Sequence, residues 1–268
     1  MKGITMQRNN RPLHDDEFAK PEEMPELLEA QLPIVRVLAE HGHVMSQFTM
    51  GEAHLRGWGG PRDLSQSAEW YRKAAKQGHT VAQATLGNLY LVGEGVSQDY
   101  SLALHWLQQA AQKGDDVAQY WLGKMYSDGM GVPVKLKRAF RLFECAAKQG
   151  RVEAQYQVGV AYAEGRGVKD SNAHALEWFR AGAEQGDAQC HCKLGTMYAM
   201  GFGVAQDEVA AREWFERSAA QGFGEALFLL DAFYPDKING PRVPAEIVPE
   251  VEQFTKDLAK LIESESPE

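Results

Sequence analysis

Two glycines one residue apart, Gly93 and Gly95 in the stretch LYLVGEGVSQD, stand just before a residue able to cap a helix, Asp99. Glycines so placed cradle phosphate when they join a strand to a helix, because bare backbone N–H groups can then approach the anion. That chemistry needs a preceding strand and a third glycine, whereas an apolar helical pattern precedes this pair and Gln98 holds the third site. The segment CHC, Cys190 to Cys192, carries soft metal ligands, but residues two apart on a helix face away from each other, so one ion is not readily held by both. His41 and His43 bracket a turn glycine without a third ligand. The run VKLKRAFRLF puts Lys135, Lys137, Arg138 and Arg141 at the start and outer side of a helix, which reads as a solvated face or as a strip for an acidic partner. Catalysis needs a nucleophile or metal with an oriented base, and the recurring Glu69, Glu177 and Glu213 occupy a scaffold column instead. The expectation is a non-enzymatic protein, with no catalytic residue, no metal and no cofactor.

The elements that would position any of these residues follow from a repeat. KQG or its near equivalents end at Gly78, Gly114, Gly150, Gly186 and Gly222, each 36 residues after the last. Between them recur Gly87, Gly123, Gly159 and Gly195, then Tyr90, Tyr126, Tyr162 and Tyr198, and the turn GEGV, GMGV, GRGV and GFGV, with a degenerate GWGG at residues 57–60. Within one repeat Ala82, Leu86 and Tyr90 form an apolar stripe at i, i+4 and i+8, and Ala103, Trp106, Leu107, Ala110 and Ala111 form a second. Asp99 is placed to cap the second helix and Gly114 to end it, so each repeat predicts a helical hairpin. The paired glycines are then the corner of that hairpin, where tight backbone angles favour glycine.

Composition agrees with a folded chain: 268 residues, 44% hydrophobic and 24% charged. The N-terminal stretch has no apolar core of signal-peptide length, and no segment reaches the roughly 20 apolar residues of a membrane span. Three cysteines without a repeating spacing argue against a disulfide framework, so a cytoplasmic location is expected. A net charge of −9 repels nucleic acid and anionic membranes and leaves basic or hydrophobic peptides as partners.

The series AQATLGNLYLVGEGVSQDYSLALHWLQQAAQKG resembles the Sel-1-like repeat, a branch of the tetratricopeptide-like helical hairpins. The resemblance covers five full units, 43–78, 79–114, 115–150, 151–186 and 187–222, with flanking half-units inside residues 33–236. Leu142 stands in the column of Trp70, Trp106, Trp178 and Trp214; His54 replaces the tyrosine of the first unit; Lys135 replaces the capping aspartate of the third. The cysteine pair of the family's cysteine-rich branch is absent, so that branch's hydrolytic activity is not carried over. The implied fold is all-α, a right-handed α-solenoid superhelix with a 36-residue period. Residues 1–32 are expected as an acidic, partly flexible N-terminal cap. Residues 237–268 are expected as a linker, a capping helix carrying Val248, Val251, Phe254, Leu258 and Leu261, and a disordered tail.

In that architecture the first helix of each hairpin lines the concave side. With Ala82, Leu86 and Tyr90 packed inward, the columns through Ala84 and Asn88 point the other way. The first reads Phe48, Ala84, Tyr120, Tyr156, Cys192 and Phe228, and the second Glu52, Asn88, Lys124, Val160, Thr196 and Ala232. An aromatic row beside a hydrogen-bonding row suits an extended peptide or a helix. The candidate protein-binding residues are therefore Phe48, Glu52, Asn88, Tyr120, Lys124, Tyr156, Val160 and Phe228. The other reading packs the aromatics between neighbouring first helices. Replacing Tyr120 and Tyr156 by alanine separates the two, since only packing predicts a large loss of stability. The expected role is a scaffold or adaptor for a protein or peptide, acting as a monomer or weak dimer. The alternatives are a neutralising immunity protein or chaperone for a toxin or effector, and a hydrolase.

Overall fold

The computed structural model describes residues 26–234, and among them the chain forms twelve helices and no strand. Of the expected cap (1–32) and tail (237–268), residues 1–25 and the whole tail lie outside the described residues. Contacts divide the chain into two units, residues 1–135 and 136–268.

Unit 1 holds α1 (Glu26–Glu40), α2 (Val44–Arg56), α3 (Leu64–Lys76), α4 (Thr80–Val92), α5 (Tyr100–Gln112) and α6 (Asp116–Asp128). Each helix touches the next, and α4 also touches α6. Unit 2 holds α7 (Leu136–Lys148), α8 (Val152–Glu164), α9 (Asn172–Glu184), α10 (Ala188–Met200), α11 (Glu208–Ala219) and α12 (Gly224–Phe233), again each against its successor.

The hairpin corners answer the question raised by the paired glycines. Gly93 ends α4 in the left-handed conformation (φ 82°) and its N–H donates to the Leu89 carbonyl, satisfying an orphan acceptor of the last turn. Gly95 also has positive φ, and a Cβ there would run into the Leu64 backbone at the start of α3. The bare backbone approaches the preceding hairpin, not a phosphate. Inside the hairpins Gly87 serves a different purpose, since a Cβ would lie 2.7 Å from Leu107 Cγ on the facing helix. Asp99 caps α5 through the N–H groups of Ser101 and Leu102, and Asp207 caps α11 in the same way.

A second periodic device was legible only as the K/Q in the KQG motif. Gln47, Gln83, Gln119, Gln155 and His191 recur every 36 residues and are all buried. In unit 1, Gln83 Nε2 donates to the Ala75 carbonyl at 3.0 Å, while Lys113 Nζ donates to Gln83 Oε1 at 3.0 Å and to the Gly78 carbonyl at 2.7 Å. In unit 2, Gln185 Nε2 donates to Gln155 Oε1 at 2.9 Å and to the Gly150 carbonyl at 3.2 Å. The column thus satisfies a buried carbonyl in the last turn of the preceding helix, while its Lys113 and Gln185 partners tie it to the exposed carbonyls of Gly78 and Gly150.

Candidate protein-binding face

First helices are more enclosed than a two-faced wheel implies. Nine of the thirteen residues of α4 are buried, because α3, α5 and α6 all lie against it. Ala84 is 2% exposed and Asn88 4%, so neither points into open solvent as the wheel suggested. The Asn88 Oδ1 atom is buried without a hydrogen-bond partner. The accessible side chains of α4 beyond its first residue are Val81, Thr85 and Val92, and Thr85 lies one helical step from buried Ala84. That step is what sequence reasoning missed. Its signal was present in the mixed column Thr49, Thr85, Gln157 and Lys193, all half-buried, to which the third repeat contributes the buried Trp121.

The remaining candidates in unit 1 divide by what holds them. Phe48 is half-buried, stacked on the His79 ring at 4.4 Å and tilted against Tyr71 at 5.9 Å. Glu52 accepts the Tyr71 hydroxyl and pairs with Arg56 at 2.9 Å. Burial first, and then the Glu52 charge, raises the pKa of Tyr71 well above its usual value, so its proton stays in place. Tyr120 is half-buried, edge-on to Trp121 at 5.2 Å, and Lys124 pairs with Asp128 at 2.9 Å.

In unit 2, Tyr156 and Val160 pack against the core cluster of Leu176, Phe179 and Leu194, with the Tyr156 and Phe179 rings 5.9 Å apart. Burial raises the Tyr156 pKa. Phe228 is 7% exposed and sits in a core cluster with Cys192, Phe215 and Leu229, so it is a core side chain and not a groove-lining one. Beside Tyr156, Lys193 Nζ donates to Glu225 at 3.1 Å.

The residues set aside for other chemistry have structural occupations. Cys190 and Cys192 are both buried but lie in different core clusters, and burial pushes the Cys192 thiol up to about 12 and Cys190 higher still. Neither is a ready thiolate. His43 Nδ1 accepts from the Ser46 N–H as the cap of α2, and His41 Nδ1 meets the Val37 carbonyl at 2.8 Å. Lys135 in unit 1, and Lys137, Arg138 and Arg141 on α7, are exposed.

The Sel1 repeat model matches residues 44–79, 80–115, 116–150, 152–187 and 188–223, within a residue or two of the hairpin periods. The chain belongs to the Sel1 repeat family. This Sel1 repeat protein is similar to the crystal structure of c5321, a protective antigen of uropathogenic Escherichia coli with the same fold. The two are 38% identical with a TM-score of 0.71 over 76% of this chain. The match spans 44% of the c5321 chain, so this Sel1 protein corresponds to less than half of that one. A Sel1 repeat protein from Oxalobacter formigenes is 29% identical, with a TM-score of 0.67 over 80% of this chain and 88% of its own. The immunity protein Pa5087 from Pseudomonas aeruginosa, 24% identical with a TM-score of 0.47 over 83% of each chain, is too distant to inform function. No curated protein matches the sequence. The fold is one that mediates protein interactions, and no described helix is long and apolar enough to cross a membrane.

Proposed function

We propose that this Sel1 repeat protein is a non-enzymatic adaptor that holds a segment of another protein against the open arc of its first helices. The observation that carries the reading is how that face is prepared. Its charges are already paired in place, Glu52 with Arg56 and Lys124 with Asp128 in unit 1, and Lys193 with Glu225 in unit 2. Its aromatic rings are held by neighbours: Phe48 by Tyr71 and His79, Tyr120 by Trp121, and Tyr156 by Phe179. Rings that are immobile before binding lose little entropy on contact, and paired charges give an incoming highly charged segment no special advantage. The chemistry suits an uncharged, partly apolar segment. Phe48, Glu52, Tyr120 and Lys124 supply one such surface with Thr85, beneath which Asn88 is buried, and Tyr156 and Val160 supply the other with Lys193, while Phe228 supports it from the core.

The test is a photo-crosslinking amino acid placed at Thr85, on the open arc, and separately at Glu69, exposed on α3. A protein crosslinked in the cell from position 85, and not from 69, supports the adaptor reading. Equal capture from both positions, or none from 85, rejects it.

A further inference from the structure

The first repeat departs from the others at two places that meet in space. In three complete repeats the tyrosine hydroxyl accepts from a side chain eighteen residues earlier, on the preceding second helix, while Tyr162 has Glu144 at that spacing. Arg72 reaches Tyr90 at 3.1 Å, Gln108 reaches Tyr126 at 3.3 Å and Arg180 reaches Tyr198 at 2.9 Å. The first repeat keeps the donor, Arg36, but has the smaller His54 in place of the tyrosine. Its turn also carries Gly60 where the others carry Val96, Val132, Val168 and Val204, side chains that are half-buried. Bulk is therefore missing at both positions, and both line one cavity of about 660 Å³ in unit 1.

That volume lies within the range of sites for small organic ligands. Leu32, Met50 and Trp58 supply apolar walls. Two of the lining residues carry hydrogen-bond donors with no partner among the described residues: Trp58, whose Nε1 is buried, and Arg36, whose guanidinium is exposed at the mouth. The one carboxylate lining the cavity, Asp63, accepts from the Gln66 N–H as the cap of α3. Unused donors beside apolar walls call for acceptor oxygens on an apolar body. We propose that the cavity between α1, α2 and the 57–63 turn binds a small carboxylic acid with an aromatic or short apolar body, its carboxylate on Arg36 and Trp58.

His54 adds a pH signature. Burial holds its pKa below the usual histidine value, with Asp63 opposing that shift and Arg36 adding to it. A bound anion favours the protonated ring, so affinity should rise as pH falls below the usual histidine range.

The experiment uses the full chain with 3-phenylpropionate, its amide and inorganic phosphate as probes. Calorimetry and the Trp58 indole N–H resonance are the readouts. The acid should bind at least about tenfold more tightly than the amide, phosphate should not compete, and the Trp58 resonance should move. The paired substitution His54→Tyr with Gly60→Val restores what the other repeats carry. Valine fits there, because Gly60 is not among the positive-φ glycines and a Cβ at Gly60 has nothing within 4 Å. This variant should lose acid binding with its helicity and Tm intact. The proposal is overturned if the acid fails to bind below about 10 mM, if acid and amide bind alike, if phosphate displaces the acid, or if the refilled variant still binds.

Discussion

The turn of the first hairpin and the turn of the second perform the same geometric task with different contents. In GEGVSQD, Gly95 abuts Leu64, Val96 is half-buried, and Tyr90 takes a hydrogen bond from Arg72. In GWGGPRD, Gly59 has the same positive φ, but its closest neighbour would be a Leu32 methyl, Gly60 fills nothing, and Arg36 has lost its tyrosine. The comparison teaches that the left-handed glycines are required by the corner itself. The valine and tyrosine decide only whether the corner is filled.

Breaking a complete hairpin should have the largest effect. Phe179→Ala empties a 2%-exposed site packed with Leu176, Leu194 and Tyr156, and chemical denaturation should show a loss of about 3–5 kcal/mol. Gly131→Val forces a branched side chain into a positive-φ position against Tyr100 and should cost about 2 kcal/mol or more, where an unchanged melt would contradict the corner assignment. Asp115→Ala removes the cap on the Ala118 N–H and should cost about 1 kcal/mol. At the other extreme, Gly60→Val alone should leave stability unchanged or raise it by up to about 1 kcal/mol, since it fills space without strain.

The buried polar column allows a similar comparison between units. Gln83 in unit 1 needs no particular protonation state, whereas His191 in unit 2 donates from Nε2 to the Ala183 carbonyl and accepts from Gln221 at Nδ1. Burial, the largest cause, lowers the His191 pKa; the Ala183 hydrogen bond and Asp187 oppose this, and Arg217 adds to it. Because the folded pKa lies below the unfolded one, the stabilisation is complete above about pH 6.5 and is lost as pH falls through the folded value. His191→Gln should therefore flatten the acid limb of unfolding measured between pH 7 and 5. Equal acid sensitivity in both proteins would show that another group governs it.

Much of this was readable without coordinates. The 36-residue spacing located every helix from α2 to α11, and Asp99 and the KQG glycines marked helix ends correctly. Capping and corner geometry are local, so the residues that satisfy them sit within a few positions of each other. The candidate face was less legible. Glu52 looked like a free groove acid, but the Tyr71 hydroxyl nineteen residues away and Arg56 occupy it. Phe228 looked like an anchor, yet it lies in the core with Cys192 and Phe215.

The sequence by itself determined the number, length and register of the hairpins, because period and turn chemistry are properties of neighbouring residues. Only the tertiary structure decided which columns stay open. A helix such as α4, touched by three others, retains a narrow arc, and a single step of about 100° moves a side chain out of it, from Thr85 to buried Ala84. The N-terminal cavity was likewise decided there. His54 and Gly60 are separate departures from the repeat, and they act together only because the turn folds back beside the helix that carries Arg36.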